Sequence, residues 1–233
     1  VINNRDYIST SMFIKNYKKQ GYNSFVFGSS RTLAFKPQSW QQYLGPSTKP
    51  FMFDASCETI YGIYRKLRYI DATDAPLKNV LIVLCRDVSF TVDTNHTGHL
   101  FIQHPATTGA NEFVYQLRFL KAYFNARFLL SYYTYLTTHK FSKFMEGYIE
   151  MRKVRFDTIT NTMRIIDQEN EIDKNPYLYY KNHWNTFSPR IVAHTDNVQR
   201  IGPHQLEVLQ KIKAILEKNH TNSLDARFGK LRF

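Results

Sequence analysis

The stretch NVLIVL at residues 79–84 is the strongest strand pattern in the chain and decides the fold class. A continuous apolar run of this length is typical of a strand in a parallel sheet that is covered on both faces. Shorter apolar runs at 24–27 and 51–54 have the same character, and helical patterns precede the first run and separate the second from the third. This alternation predicts an α/β domain of three layers, with a mainly parallel sheet between helices.

The middle of the chain changes character. Residues 111–150 have a helical pattern rich in aromatic side chains, with a break near 137–139, which predicts a helical insertion of two helices. Residues 154–166 predict a hairpin, residues 167–202 predict irregular structure, and Pro203 begins an amphipathic helix. No strand pattern follows that helix. We therefore predict a single domain, 1–233, and leave two interpretations open: the chain is truncated, or it lacks a segment of the fold.

Composition excludes several classes of protein. The hydrophobic content of 43% suffices for a core and argues against a disordered chain. Two cysteines cannot form a disulfide scaffold or a four-ligand zinc site. No apolar run reaches the roughly 18 residues of a membrane span. The chain begins at Val1, which leaves an upstream targeting segment or membrane anchor open.

Three histidines in the segment 91–110 are of a residue type that binds metals. His96, His99 and His104 have only Asp93 as a neighbouring ligand type, so we interpret them as exposed loop histidines. The sequence thus predicts no metal site, and no motif indicates a cofactor.

The net charge of +12 is scattered along the chain. Residues 1–50 carry seven basic and one acidic side chain, and nowhere do four Lys or Arg residues follow one another. A nucleic-acid arm would cluster these charges, so we consider a nucleic-acid partner unlikely and favour a solvated basic surface. An acidic glycan or another acidic polymer would account for the charge as well as a nucleic acid would.

Polar residues follow each predicted strand, where ligands of parallel sheets usually bind. A serine at the tip of a strand exposes its Oγ, and nearby backbone N–H groups can stabilise an oxyanion. The alternatives are a serine-rich turn at 29–30 and, for Asp54, a helix cap or a surface carboxylate. The three segments concerned are Gly28-Ser29-Ser30-Arg31, Asp54-Ala55-Ser56 and Cys85-Arg86-Asp87.

In order and spacing these segments resemble the SGNH (GDSL-type) hydrolase superfamily. They are most similar to envelope-associated members, which include alginate O-acetyltransferase-like and D-alanyl-transfer-related proteins. Over residues 1–90 the resemblance implies that Ser30 is the nucleophile and that Ser29 replaces the usual aspartate. It also implies an oxyanion hole formed by the N–H groups of Ser30 and of Ala55 or Ser56. The other residues that we place at the site are Gly28, Arg31, Asp54 and Arg86.

The last block of that superfamily, Asp-x-x-His, has no match in the chain. Asp225 is followed three positions later by Phe228, so His194 and His204 are the candidate bases. The resemblance implies a serine-dependent ester hydrolase or O-acyltransferase that acts on a carbohydrate or cell-envelope glycan, in the periplasm or cell envelope. Without a base the chain would be inactive. The alternative is a non-catalytic binding or assembly protein of the same fold, whose basic aromatic surface binds an acidic polymer.

Overall fold

A computed structural model of the chain describes residues 2–85, 88–91, 98–187 and 201–228. The first elements are α1 (Arg5–Gln20), β1 (Ser24–Gly28), α2 (Pro37–Leu44), β2 (Pro50–Asp54), α3 (Ile60–Asp71) and β3 (Asn79–Cys85). Next come α4 (Pro105–Thr108), α5 (Glu112–Tyr123), α6 (Ala126–Thr138), β4 (Val154–Phe156) and β5 (Met163–Ile165). The remaining elements are α7 (Ile166–Lys174), α8 (Pro176–Asn182), α9 (Trp184–Phe187), α10 (Pro203–Lys218) and β6 (Asn222–Phe228).

Four strands form one parallel sheet in the order β2-β1-β3-β6. Phe25 of β1 pairs with Phe51 on one side and with Val80 on the other. The prediction of an α/β fold with a mainly parallel sheet is therefore confirmed. The predicted hairpin is confirmed as well, since β4 and β5 pair antiparallel.

Alternate side chains of each strand point to opposite faces of the sheet, and helices cover these two faces unequally. On one face the strand phenylalanines pack against α1, α3 and α10, with Phe13 at the centre of an aromatic cluster. The other face is smaller and consists of Val26, Met52, Leu81 and Val83, packed against Phe35 and against Trp40 of α2. Among the described helices, none combines the length and hydropathy required to cross a bilayer.

Two local predictions were wrong, and a third was incomplete. The segment after α10, in which we find no strand pattern, contains β6, which pairs with β3 from Asn79 opposite Asn222 to Cys85 opposite Phe228. The segment predicted to be irregular contains α7, α8 and α9, and a further helix, α2, lies between β1 and β2. The predicted break near 137–139 is present as the end of α6 at Thr138, but α5 and α6 are separated by a further break at Phe124-Asn125. There Asn125 Oδ1 accepts a hydrogen bond from the N–H of Phe128 at 3.1 Å and thereby begins α6.

The turn between β4 and β5 covers the outer edge of β2. The N–H of Met52 donates to the carbonyl oxygen of Thr160 at 2.8 Å, and Asn161 Nδ2 donates to the carbonyl oxygen of Met52 at 2.7 Å. Bonds of this kind satisfy an edge that would otherwise be open to another strand. They also bring Asn161 to the carboxyl end of β2.

In this strand order, the connections that leave β1 and β3 run in opposite directions across the sheet. The connection that leaves β1 leads to β2 on one side, whereas the connection that leaves β3 leads to β6 on the other side. In open α/β sheets ligands bind in the crevice that such a change of direction creates at the carboxyl ends of the strands. Gly28 ends β1 at this point with φ +147°, and a Cβ there would lie 2.6 Å from the carbonyl oxygen of Val83. Only glycine allows the two strand ends to approach this closely.

Candidate functional site

Two serines at the end of β1 have different surroundings. Ser29 is only 4% exposed, and its Oγ lies 3.2 Å from the Sγ of Cys85 at the end of β3. Ser30 is exposed and begins a 3-10 turn, in which the N–H of Thr32 donates to the carbonyl oxygen of Ser29 at 2.9 Å. Of the two hydroxyl groups, therefore, that of Ser30 is the one accessible to a substrate.

Ser30 lines a cavity of about 210 Å³ at the carboxyl ends of β1 and β2. The segment after β2 contributes Asp54, Ala55 and Ser56, and Arg5 contributes from α1. The structure thus brings together the ends of the first two predicted strands. The other residues that line the cavity are Ile2, Asn3, Leu33, Glu150, Arg152, Val154, Phe156 and Met163.

The remaining predicted residues do not line this cavity or cannot be placed. Arg31 is exposed and lies outside the lining of the cavity. His204 begins the first turn of α10, where its ring centroid lies 5.2 Å from that of Tyr61. Arg86 and His194 lie outside the described residues.

The prediction that the N–H of Ala55 serves in an oxyanion hole was wrong. That N–H donates to the carbonyl oxygen of Gly28 at 3.2 Å and so extends the pairing of β1 and β2 by one residue. The N–H groups of Ser30 and Ser56 are different, since neither donates to an acceptor within the described part of the chain. Because Ser30 and Ser56 both line the cavity, these two N–H groups are candidate donors there.

Asp54 forms a buried ion pair with Arg5. The carboxylate is 1% exposed and accepts hydrogen bonds from Nε of Arg5, at 3.0 Å, and from its Nη2. Arg5 also donates to the carbonyl oxygen of Asn161 at 3.2 Å, and its guanidinium lies 4.8 Å from the ring centroid of Phe156. Both alternative interpretations of Asp54 were therefore wrong, because it is not at the surface and because Thr59 is the N-cap of α3. Sequence reasoning missed Arg5 and Asn161.

A second buried group of charges lies next to this pair. Lys66 of α3 is 1% exposed and pairs with Glu58 and, at 3.1 Å, with Asp6. Burial lowers the pKa of the Lys66 ammonium, but the nearby carboxylates of Glu58, Asp6 and Asp54 outweigh burial and raise its pKa overall. Each of these buried charges thus has a partner of opposite sign, and the two cations are shared among three carboxylates.

No described side chain in the cavity is suited to be a general base. Within the described residues no histidine lines the cavity of Ser30. Glu150 does line it, but hydrogen bonds from Arg152, one of them 2.7 Å from Nη2 to Oε2, lower the pKa of the Glu150 carboxyl. A carboxylate with a low pKa is a weak base at neutral pH.

The described histidines of the segment 91–110 are half-buried, so their interpretation as exposed side chains was wrong. His99 stacks on Tyr148 with ring centroids 5.7 Å apart, and its Nε2 is buried without a hydrogen-bond partner within the described residues. His104 caps α4, where its Nδ1 accepts from the N–H of Ala106 at 3.1 Å. Within the described part of the chain no group of three or more His, Cys, Asp or Glu side chains is arranged to hold a metal ion.

We expect these two histidines to make stability fall as the pH decreases. Burial lowers the pKa of His99 and of His104 below 6.5, so the unfolded chain binds more protons than the folded chain near that pH. The free energy of unfolding should therefore decrease from about pH 7.5 to about pH 5.5. Urea unfolding at several pH values measures this slope.

The matched variant for this prediction is His99→Phe combined with His104→Asn. Phenylalanine keeps a ring against Tyr148, and asparagine keeps an N-cap acceptor. The double variant should lose most of the slope between these pH values. An unchanged slope would assign the pH dependence to other groups.

The fold and the cavity together define an α/β protein with a parallel sheet and a serine at the carboxyl end of a central strand. Comparison of the chain with protein-family models, with curated proteins and with solved structures finds no match.

Proposed function

We propose that this chain is a serine-dependent ester hydrolase or O-acyltransferase of the SGNH type, with Ser30 as its nucleophile. The observation that carries the proposal is the position of Ser30, which is exposed and lines a cavity at the end of a central parallel strand. The N–H groups of Ser30 and Ser56, which line the same cavity, have no acceptor in the described part of the chain. The proposed substrate is an acyl ester of a carbohydrate or cell-envelope glycan, and the proposed location is the periplasm or cell envelope. Both rest on the resemblance of residues 1–90.

In the proposed reaction the Oγ of Ser30 attacks the acyl carbonyl carbon and loses its proton to a base. The N–H groups of Ser30 and Ser56 hold the oxyanion until the bond to the leaving oxygen breaks, and the protonated base gives its proton to that oxygen so that it leaves as an alcohol. The acyl group then passes from Ser30 to water in a hydrolase, or to a sugar hydroxyl in a transferase. His194 is the first candidate for the base.

Labelling with a fluorophosphonate tests this proposal. Ser30→Ala should lower the rate of covalent labelling at least about a thousandfold, because the probe reacts with an activated serine oxygen. Ser29→Ala is the matched control and should still be labelled, since the Ser29 hydroxyl is buried against Cys85. Mass spectrometry of the intact protein measures both rates. If the unaltered protein is not labelled, or if the Ser30 variant is labelled equally well, Ser30 is not a nucleophile.

The second candidate function is a non-catalytic binding or assembly protein of the same fold, whose basic aromatic surface binds an acidic polymer. Two observations favour it: the N–H of Ala55 is already bonded to Gly28, and no described histidine lines the cavity. Such a protein would bind an acidic polysaccharide with an affinity that falls with salt, and Ser30→Ala would leave this binding unchanged. Fluorescence polarisation with a labelled acidic oligosaccharide distinguishes the two functions.

A further inference from the structure

The outward face of α5 is apolar. Phe113, Leu117, Leu120 and Phe124 recur at intervals of three and four residues, so they lie along one side of the helix. All four are exposed, Phe113 to 71% and Phe124 to 65%. The opposite side of α5 faces the protein through Tyr115, which is buried. This helix therefore has two apolar faces, and one of them is uncovered.

The next helix also exposes apolar side chains. Leu130, Tyr133 and Leu136 of α6 are exposed, Leu130 to 61%. The hydroxyl of Tyr133 lies 3.1 Å from that of Tyr123 in α5 and so links the two helices. We call the following residues the outer stripe: Phe113, Leu117, Leu120, Phe124, Leu130, Tyr133 and Leu136. An exposed apolar surface that extends over two helices is typical of an interaction site.

The segment that contains the outer stripe is basic. Residues 112–145 contain five Lys or Arg residues and one acidic residue, Glu112. Arg118, Lys121, Lys140 and Lys143 are exposed, and none of them forms an ion pair within the described part of the chain. The surface therefore offers an apolar stripe together with cations that lack a counter-charge of their own.

We infer that the outer stripe binds the surface of an anionic lipid bilayer, with α5 and α6 lying in the plane of the interface. Helices with an apolar side and basic flanks bind in this way, and tyrosines are enriched at the level of the lipid headgroups. Anionic headgroups would supply the missing counter-charges. A symmetric contact between two copies of the chain would instead place these cations opposite one another, which disfavours a second copy as the occupant.

Flotation with vesicles tests this inference. The protein should float with vesicles of phosphatidylcholine that contain about one third phosphatidylglycerol, and much less with pure phosphatidylcholine. Neutralising two cations, with Arg118→Gln and Lys121→Gln, should weaken partitioning about 30-fold. Removing two apolar anchors, with Phe113→Ser and Phe124→Ser, should weaken it at least about tenfold. High salt should reduce binding of the unaltered protein.

Matched variants elsewhere on the surface serve as controls. Tyr43→Ser removes an aromatic side chain of α2 that is 86% exposed, and Lys15→Gln with Lys19→Gln removes two exposed lysines of α1. Both should bind vesicles like the unaltered protein, and circular dichroism should show that every variant is folded. Failure to bind anionic vesicles, or equal binding to neutral ones, would overturn the inference. So would a concentration-dependent dimer that the Phe113→Ser and Phe124→Ser changes abolish, since the stripe would then belong to a second copy.

Discussion

Asp54→Asn is expected to lower the free energy of unfolding by about 3–5 kcal/mol, the usual cost of removing one partner of a buried ion pair. Asp54 accepts two hydrogen bonds from Arg5, and both side chains are buried. Asparagine keeps the size of the side chain but leaves the Arg5 guanidinium without a counter-charge. Arg5 also holds Asn161, so the docking of the β4–β5 turn on β2 should weaken at the same time. Urea unfolding measures the loss.

The exposed pair of Arg164 and Glu169 is the matched control for this prediction. Nε and Nη2 of Arg164 both donate to Glu169, but the two side chains are 56% and 28% exposed. Glu169→Gln should therefore cost less than about 1 kcal/mol. Equal costs at the two sites would mean that burial does not determine the contribution of Asp54.

The same variant separates a structural role of Asp54 from a role in the proposed chemistry. If Asp54 acts through Arg5 alone, Asp54→Asn should be labelled by the fluorophosphonate at the normal rate under conditions where it remains folded. A folded variant that has lost labelling would show that the carboxylate also acts on Ser30.

Much of the fold could be predicted because its first half is encoded locally. β1, β2 and β3 are short apolar runs, and Gly21 ends α1 in the left-handed conformation with φ +64°. β6 could not be predicted in this way. It has no continuous apolar run, but Leu224, Ala226 and Phe228 alternate with Asp225 and Arg227, a period of two that is typical of a strand and that our sequence analysis missed.

In the candidate site, too, only the features that depend on local sequence could be predicted. The position of Ser30 follows from the end of a strand, which is a local signal. Arg5 and Asn161 are 156 positions apart, and nothing in their local sequences indicates that Arg5 forms hydrogen bonds with both Asn161 and Asp54. The bond from the N–H of Ala55 to Gly28 likewise depends on the register of two strands, which the sequence does not define.

Lys66→Met is expected to lower the free energy of unfolding by about 3–5 kcal/mol at neutral pH, because it leaves two buried carboxylates without their cation. Methionine replaces the apolar stem of the lysine, so the loss would come mainly from the charge. Gly62 shows how closely Glu58 is held, since a Cβ at that position would overlap Glu58 Oε1. The exposed pair of Lys218 and Asp71 is the control, and Lys218→Met should cost less than about 1 kcal/mol.

The pH dependence of the Lys66→Met variant distinguishes lost charge from lost packing. Without the ammonium, burial and mutual repulsion would disfavour the charged forms of the buried carboxylates that it pairs. The folded variant would then bind more protons than the unfolded variant, so its stability relative to the unaltered protein should recover as the pH falls from 7 to about 5. Glu58→Gln added to Lys66→Met should recover part of the loss at neutral pH, because it removes one of the unpaired charges. The loss of stability could instead be the same at every pH and in the double variant. That result would show that Lys66 contributes through packing and that the buried carboxylates do not depend on its charge.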